Sequence, residues 1–296
     1  TRPIKKLHDA AMRLAAGDYT VRVEADGKDE IGDLARGFNR MVPAIEDQVR
    51  VKRELDIARE IQQHLLPKAA PSLPGFDIVG QVLFCAETGG DYLDFVPLTV
   101  GTGAGMAAVI GDVTGHGVGA ALLMTSARAT ILAAAEAGAS GGELMRAVNR
   151  QLARDAAGGR SMTMLAVILK AESRSIDWMS AGHEPALLYD PTTDDFLELA
   201  GEGIPLGIDA AWQYTTEKLT LPENAALVCI TDGIREARNS ADVEFGMDGV
   251  RGAVRAARGQ SSDAICRQIL AHVSAHLDGR VAHDDMTVVV VRVASI

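Results

Sequence analysis

Aromatic side chains and cysteines are scarce in this sequence of 296 residues. Aromatic residues make up 4% of the chain, and three cysteines, Cys85, Cys229 and Cys266, lie far apart, none in a Cys-x-x-Cys pair. An odd number of isolated cysteines argues against a disulfide framework and against a cysteine zinc site. We therefore expect reduced thiols in a cytosolic compartment, with Cys229 in the core because it lies in an apolar strand pattern.

Basic runs and long uninterrupted apolar segments are also missing from the sequence. The formal net charge is −11, and this acidic balance disfavours nucleic-acid binding. The longest apolar stretch, residues 120–139, is interrupted by Arg128 and Glu136, so we predict no membrane span. No signal peptide is recognised, and a chain that begins with Thr is interpreted as part of a longer protein.

The first 47 residues have a helical pattern with one extended connector. A helix is predicted after Pro3, and Gly17 ends it. The segment "YTVRVEA" alternates and is predicted to be extended. The second helix has apolar residues at alternating three- and four-residue spacing, which is typical of a coiled-coil seam and also compatible with an ordinary amphipathic helix: Ile31, Leu34, Phe38, Met41 and Ile45.

The seam weakens in the next part of the second helix. Gln48 and Lys52 occupy positions where apolar residues are expected, and the pattern resumes up to Leu66. This phase change is compatible with two helix registers and equally with a solvated stretch of helix. The prolines of "LLPKAAPSLPG" end the helix and indicate a domain boundary.

From Phe76 onward, strands and helices are predicted in clusters. The absence of strict βαβ alternation favours an α+β fold with largely antiparallel sheets. The predicted strands are 77–84, 92–99, 105–111, 162–170, 175–181, 186–190, 215–220, 225–231 and 286–293, and the predicted helices are 118–136, 141–156, 246–258 and 261–277.

Aspartates recur at the ends of four apolar strands. Asp91 precedes one strand, Asp112 and Asp232 end two others, and Asp284 and Asp285 precede the last. A single Asp-Gly is usually a turn, but four such strand ends indicate a shared site. Buried carboxylates need a counter-charge, and no Arg or Lys adjoins Asp91, Asp112 or Asp284.

The chemistry of these residues predicts a metal centre. Carboxylates without cysteine or histidine partners suit Mg²⁺ or Mn²⁺. Several aspartates around one centre suit two ions with a bridging hydroxide as the nucleophile. The neighbouring glycines let the backbone approach a metal ion or a phosphate.

Eight motifs occur in the order typical of the PPM/PP2C-type serine phosphatases: "AREIQQHLLP", "ETGGDYLDF", "IGDVTGHGVGAALLM", "SMTMLAVIL", "SAGHEPALLY", "GIPLGI", "ITDGI" and "DDMTVVVV". Residues 58–296 resemble this family, and most closely the bacterial branch typified by SpoIIE and RsbU. The resemblance implies a β-sandwich of two antiparallel sheets flanked by helices.

The resemblance also implies a binuclear Mn²⁺ or Mg²⁺ site and the role of each ligand. Asp112 would bridge both ions, with the carbonyl of Val113 contributing. Asp91 would bind one ion, and Asp232 and Asp284 the other. Asp285 would lie behind the ligands or replace one of them. The implied reaction is hydrolysis of phosphoserine or phosphothreonine without a covalent intermediate.

The first segment, with the pattern "P…GDY…DEIGDLARGFNRM", resembles a HAMP domain. That family implies a preceding transmembrane helix, a parallel four-helix homodimer, and attachment to the cytoplasmic face of a bacterial inner membrane, with this fragment itself soluble.

The predicted domains are a HAMP domain at 1–47, a coiled-coil linker at 48–74 and a phosphatase domain at 75–296. The implied substrate is a phosphorylated STAS-domain anti-sigma-factor antagonist. We predict that rotation or a register shift of the 31–66 helix gates metal binding.

Two positions depart from the family pattern. Thr88 stands where relatives carry Val, and Glu184 stands where Asn is usual. The phosphate-binding arginine of eukaryotic cousins has no recognisable equivalent. All four principal ligand positions are intact, which argues against a catalytically dead scaffold.

The remaining candidates are histidines and one glycine-rich turn. His116 is compatible with a proton donor, although a loop residue is the favoured interpretation. His183 is interpreted as a structural turn residue. His272 and His276, with His283 downstream, imitate a zinc half-site, but a helix face is favoured. The turn "GTGAGMA" lacks the Gly-Lys-Ser/Thr of a phosphate loop and is interpreted as a hairpin.

Two other functional classes stay open at this point. One is a HAMP-tethered scaffold that binds a partner without catalysis. The other is a metal-dependent hydrolase of another phosphoester, such as a nucleotide, although the sequence has no evident aromatic platform or basic clamp for one.

Overall fold

The computed structural model describes residues 2–85, 88–101, 103–139, 141–155, 159–171 and 173–294. The chain forms two compact units, Thr1–Glu60 and Ile61–Ile296. Helix α1 is Arg2–Ala15, and helix α2, Glu30–Leu65, begins in the first unit and ends in the second. The long second helix predicted up to Leu66 is therefore confirmed within one residue.

The first unit has a small core of its own, formed by Ala10, Val21, Phe38 and Val42. The connector between the helices forms no strand: Tyr19 and Thr20 lie in a turn, and residues 21–27 have no regular secondary structure. Asn39 holds it by accepting from the Val23 N–H (2.9 Å) and donating to the Val23 carbonyl (2.8 Å).

The predicted seam residues of α2 differ in exposure, with Ile31 and Ile45 half-buried. Phe38 is buried within its own chain, whereas Leu34 and Met41 are 57% and 47% exposed. Large exposed apolar side chains recur further along the helix, at Val51, Ile57 and Ile61.

The second unit contains two five-stranded antiparallel sheets. The strands are β1 (Phe76–Leu83), β2 (Tyr92–Val100), β3 (Gly103–Val113), β4 (Met162–Lys170), β5 (Ser175–Ala181), β6 (Ala186–Asp190), β7 (Asp195–Leu199), β8 (Glu217–Thr220), β9 (Ala226–Ile230) and β10 (Met286–Val293). One sheet has the order β1-β10-β9-β6-β7 and the other β2-β3-β4-β5-β8.

Helices cover the outer face of each sheet. They are α3 (Val118–Glu136) and α4 (Gly142–Asp155) on the second sheet, and α5 (Asp232–Arg235), α6 (Gly246–Ala256) and α7 (Ser262–Leu277) associated with the first. This confirms the predicted sandwich of two antiparallel sheets flanked by helices.

Alternating side chains of each inner strand serve two cores, which explains the continuous apolar runs in the sequence. In β3, Ala107 and Val109 pack towards α3 and α4, whereas Ala108 and Ile110 pack between the sheets. Between the sheets they share a core with Cys229, which is buried as predicted.

Helix α3 is, by length and composition, the one helix among the described residues that is apolar enough to span a membrane. Its buried residues Ala120, Met124, Ala127 and Ile131 belong to the core cluster on the second sheet. Packing on that sheet accounts for the apolar character of these positions.

Candidate metal centre

Four separate chain segments carry the five predicted aspartates to one end of the sandwich. Asp91 directly precedes β2, and Asp112 lies in β3 opposite Thr163. Asp232 opens α5 after β9, and Asp284 and Asp285 precede β10. Because β2 and β3 are neighbours in one sheet and β9 and β10 in the other, the group draws on both sheets.

Hydrogen bonds tie the Asp91 carboxylate to the opposite sheet. Its Oδ2 accepts from the hydroxyls of Thr231 (2.9 Å) and Thr287 (2.6 Å). Asp91 is 2% exposed, so these two bonds fix the carboxylate across the junction of the sheets.

The two adjacent aspartates differ in surroundings. Asp285 is buried, and its Oδ1 accepts from the Cys85 N–H at 2.9 Å. Asp284 is exposed, and its Oδ1 accepts from the Asp285 N–H at 2.8 Å. Asp285 therefore holds the chain beside Cys85, while Asp284 faces outward.

The carboxylates raise one another's pKa. The pKa of Asp112 is raised to about 8, mainly by burial and then by the charges of Asp232, Asp284 and Asp285. Burial, with the charge of Asp112 next, raises the pKa of Asp91 well above its usual value. The pKa values of Asp232 and Asp285 are also raised, mainly by burial. These charge interactions mean that the five carboxylates lie close enough together to affect one another's ionisation.

Lysine and arginine do not neutralise this cluster in the described part of the chain, where no ion pair involves any of the five aspartates. A concentration of negative charge that is partly buried and unpaired is unstable unless a cation joins it. The donor set, carboxylates with a neighbouring backbone carbonyl and no sulfur, fits Mg²⁺ or Mn²⁺. No set of three or more His, Cys, Asp or Glu side chains in the described ranges is already gathered as a metal-ion site.

Two glycines allow the backbone to pass close to these groups. We call residues 88–91 the GGD loop. A Cβ atom on Gly90 would lie 2.6 Å from the Val113 carbonyl oxygen and 2.9 Å from Asp112 Oδ1, and one on Gly89 would overlap the Asp285 carboxylate. The glycines therefore keep space beside the Val113 carbonyl that a side chain would fill.

A second loop, residues 114–117, which we call the TGHG loop, packs against the GGD loop. The Gly117 N–H donates to the Thr88 carbonyl and the Val113 N–H to the Gly90 carbonyl, each at 3.3 Å. Gly115 and Gly117 have φ values of 86° and 81°, a backbone conformation that favours glycine. His116, between them, is exposed.

Three other histidines, His183, His272 and His276, have their contacts outside the aspartate group. His183 is buried, desolvation lowers its pKa to about 4, and its Nδ1 lies 2.9 Å from the Thr163 hydroxyl. It is thus a neutral structural residue next to the strand position opposite Asp112. His272 pairs with Gln268 and His276 with the Val243 carbonyl, which favours the helix-face interpretation over a zinc half-site.

Two contacts were not predicted from sequence. Glu184, the departure from the family pattern, pairs with Arg235 (Nε to Oε2, 3.2 Å) at the end of α5. Gln62, near the end of α2, is 4% exposed and bonds the backbone of Gly89 in the GGD loop. The motif "AREIQQHLLP" was the available signal for Gln62, but its spacing does not reveal its partner. The "GTGAGMA" turn does join β2 and β3 as a hairpin, although Thr102 lies outside the described residues.

Comparison with known proteins agrees with this architecture. The family model "Stage II sporulation protein E (SpoIIE)" matches residues 102–294, and the HAMP domain model matches residues 1–47. The chain is 27% identical over 191 residues to the phosphoserine phosphatase RsbU of Bacillus subtilis, covering 64% of this chain and 56% of RsbU. It is 26% identical over 331 residues to the protein IcfG of Synechocystis, covering 98% of this chain and 51% of IcfG.

The chain thus spans about half the length of these two relatives. Among solved structures, the SiaA-PP2C domain of Pseudomonas aeruginosa matches with a TM-score of 0.69 and 21% identity, covering 83% of this chain and 98% of that domain. This similarity concerns the fold alone. With a family model over residues 102–294 and the same sandwich fold, the chain belongs to the SpoIIE family of PP2C-type domains and carries a HAMP domain at its N-terminus.

Proposed function

We propose that this chain is a metal-dependent protein serine/threonine phosphatase in bacterial signal transduction. The observation that carries the proposal is the group of five aspartates from both sheets, which no ion pair joins in the described part of the chain. The pKa values of four of them, Asp91, Asp112, Asp232 and Asp285, are raised. Membership of the SpoIIE family and the similarity to a phosphoserine phosphatase support the same activity.

The proposed ligands keep the roles implied by the family. Asp112 and the Val113 carbonyl would hold both Mn²⁺ or Mg²⁺ ions. Asp91 would hold one ion, with its Oδ1 available because both threonine hydroxyls bind Oδ2. Asp232 and Asp284 would hold the other. Asp285 is an alternative ligand, although its hydrogen bond from the Cys85 N–H favours a positioning role.

The two ions, when bound, would supply an activated water nucleophile and neutralise charge on the phosphoryl group. The chain's own residues favour direct hydrolysis over a phosphoenzyme. Cys85 is the thiol beside the group, and burial together with the charge of Asp285 raises its pKa to about 12. A protonated thiol is a poor nucleophile, so no covalent intermediate is expected on Cys85.

The proposed substrate is a phosphorylated STAS-domain anti-sigma-factor antagonist. We further propose the domain boundaries 1–47, 48–74 and 75–296, a homodimer formed through the HAMP and linker helices, and membrane association through a segment outside this sequence. The exposed apolar side chains of α2, Leu34, Met41, Val51, Ile57 and Ile61, support the homodimer because a second copy would cover them.

The test is hydrolysis of p-nitrophenyl phosphate and of a phosphorylated STAS protein by the whole chain, as a function of Mn²⁺ and Mg²⁺ concentration. We expect activity that requires the ion and falls about 100- to 1,000-fold in Asp112→Asn, the order expected when a transition-state interaction is removed. Asp248→Asn is the matched control because its side chain is 97% exposed on α6.

Three results distinguish the alternatives. Ion-dependent activity on the phosphoprotein that is lost in Asp112→Asn supports the proposal. Activity on nucleotides alone would favour the other phosphoester hydrolase. Binding of the phosphoprotein without turnover at any ion concentration would favour the scaffold.

A further inference from the structure

One arginine beside the aspartate group has no hydrogen-bond or ion-pair partner among the residues that the structure describes. Arg160 lies between α4 and β4 with an exposed side chain. Within the residues described, its guanidinium forms no hydrogen bond and no ion pair. The absence of a carboxylate partner is notable because the site next to it is rich in aspartates.

Hydrogen bonds of the next residue, Ser161, fix the position of the backbone from which the Arg160 side chain extends. The Ser161 carbonyl accepts from the Thr114 N–H at 2.9 Å, and the hydroxyls of the same two residues lie 3.0 Å apart. Thr114 opens the TGHG loop, two residues after Asp112. Arg160 therefore leaves the sheet at the rim of the aspartate group.

The guanidinium lies against the backbone of Gly119, in the first turn of α3. A Cβ atom on Gly119 would lie 2.8 Å from Arg160 Nη1, 3.0 Å from Cζ and 3.2 Å from Nη2. Three similar distances mean that the guanidinium covers this glycine with its flat side. Glycine is a poor helix former, and room for Arg160 gives a physical reason for glycine at this position.

This position is electrostatically unfavourable for a cation that remains alone. The N-terminal end of a helix carries a partial positive charge, which repels a guanidinium and attracts an anion. An anion that contacts both the guanidinium and the exposed N–H groups at the start of α3 would satisfy both groups. The arrangement thus favours an anionic ligand at the rim of the aspartate group.

We propose that Arg160 binds the phosphoryl group of the substrate and that Gly119 positions it; this rests on the proposed phosphatase function. A guanidinium can donate two parallel hydrogen bonds to two oxygens of a phosphate monoester. It also offsets the repulsion between a phosphate dianion and the aspartates. Arg160 would be a substrate-binding residue that recognises the phosphate itself, so it serves any phosphoserine or phosphothreonine substrate.

The test uses the whole chain with Mn²⁺ and two measurements. One is kcat and KM for a phosphoserine peptide, and the other is the dissociation constant of inorganic phosphate by calorimetry. For Arg160→Ala we expect both KM and the phosphate dissociation constant to rise about 10- to 100-fold, as for the loss of charge-assisted hydrogen bonds. A smaller change in kcat is expected, because the contact exists before the transition state. Arg160→Lys should recover only part of the phosphate affinity. Lysine keeps the positive charge but lacks the planar guanidinium that donates two parallel hydrogen bonds.

Gly119→Ala tests the positioning without removing the arginine. The new methyl group would displace the guanidinium, so KM and the phosphate dissociation constant should rise several-fold, while Tm stays equal or increases because alanine is the better helix former. Gly252→Ala in α6 is the matched control, since nothing lies within 4 Å of its Cβ position. Arg146→Ala, an exposed arginine on α4, controls for the loss of one positive charge.

The outcomes separate the two proposals. An active wild-type chain whose KM and phosphate affinity change less than twofold in Arg160→Ala and Gly119→Ala would overturn the role of Arg160. A wild-type chain that binds phosphate through Arg160 but hydrolyses no phosphoprotein would overturn the proposed function and keep the anion site. A wild-type chain without turnover or phosphate binding would overturn both.

Discussion

Gln62 binds both polar backbone groups of Gly89. Its Nε2 donates to the Gly89 carbonyl at 2.8 Å, and the Gly89 N–H donates to its Oε1 at 3.2 Å. Gly89 touches Asp285 and lies two residues before Asp91. The last turns of α2 are therefore joined by two buried hydrogen bonds to the loop that carries the first proposed ligand.

Gln62→Ala should weaken metal binding. The substitution leaves the Gly89 N–H and carbonyl without partners, at a cost of about 1–3 kcal/mol, and frees the GGD loop. We expect the Mn²⁺ concentration for half-maximal activity to rise about tenfold, measured by titration of phosphatase activity. Gln63→Ala is the matched control because Gln63 is the exposed neighbour on the same helix. Equal Mn²⁺ dependence in Gln62→Ala and wild type would contradict a link through this contact. The broader prediction, that rotation or a register shift of the helix gates metal binding, stays a prediction.

Gly90→Ala should block the site directly. The added methyl group would lie against the Val113 carbonyl and Asp112, so the GGD loop must move away from both. We expect activity to fall at least about tenfold at saturating Mn²⁺, because misplacing reacting groups by about 1 Å is costly. Gly103→Ala in the β2–β3 hairpin is the control, since its Cβ would meet only the Val100 carbonyl at 3.8 Å. Comparable losses in the two variants, measured as kcat/KM, would argue against a specific role for Gly90.

The metal-free chain should lose stability as pH rises. In the folded chain the pKa of Asp112 is about 8, above its ordinary value of 3.8, so the folded state binds more protons than the unfolded state between these values. The unfolding free energy should then decrease from about pH 4 to about pH 8. The raised pKa values of Asp91, Asp232 and Asp285 act in the same direction.

Thermal unfolding with a chelator measures this effect. Asp112→Asn should flatten the pH dependence and stabilise the metal-free chain at pH 8 by about 1–3 kcal/mol, since it removes a partly buried charge. Asp248→Asn, an exposed aspartate on α6, serves as the control. A slope in Asp112→Asn as steep as that of wild type would show that Asp112 does not titrate in this range.

The Glu184–Arg235 pair should behave as one unit. Arg235 also pairs with Glu236 (2.6 Å) and approaches Glu244 (3.8 Å), so Arg235→Ala leaves three carboxylates without their shared cation. We expect a loss of about 1–3 kcal/mol, or roughly 2–4 °C in Tm per kcal/mol. Introducing Glu184→Asn as well should recover part of that loss. Strictly additive effects in the double-mutant cycle would mean that the two side chains are not coupled.

The sequence predicted most strands and helices of the second unit, including the short strand β8, but missed β7 and α5. β4, at Met162–Lys170, is predicted with the observed bounds because its apolar run serves two cores. β7, at Asp195–Leu199, was not predicted, because it is an edge strand whose side chains are largely exposed. The four-residue α5 is too short for a helical period to appear.

The residues of the candidate site likewise include some that the sequence predicts and some that it does not. The aspartates were predictable because each occupies a strand end, and neighbouring strands of one sheet bring such ends together. Gln62, Arg160 and Arg235 were not, because each acts on a segment distant in sequence. Nothing in the residues around Arg160 reveals that a glycine in another element leaves room for its guanidinium.

The distribution of the proposed ligands along the chain also has a consequence for biosynthesis. The helices of the HAMP segment are made first, whereas the aspartate group is incomplete until Asp284 and Asp285 have left the ribosome and β10 has paired between β1 and β9. Because chains emerge N-terminus first and domains fold as units, a nascent chain would have the helices of the HAMP segment before it has the proposed metal centre. Under the proposed function, such a chain would have no phosphatase activity during its own synthesis.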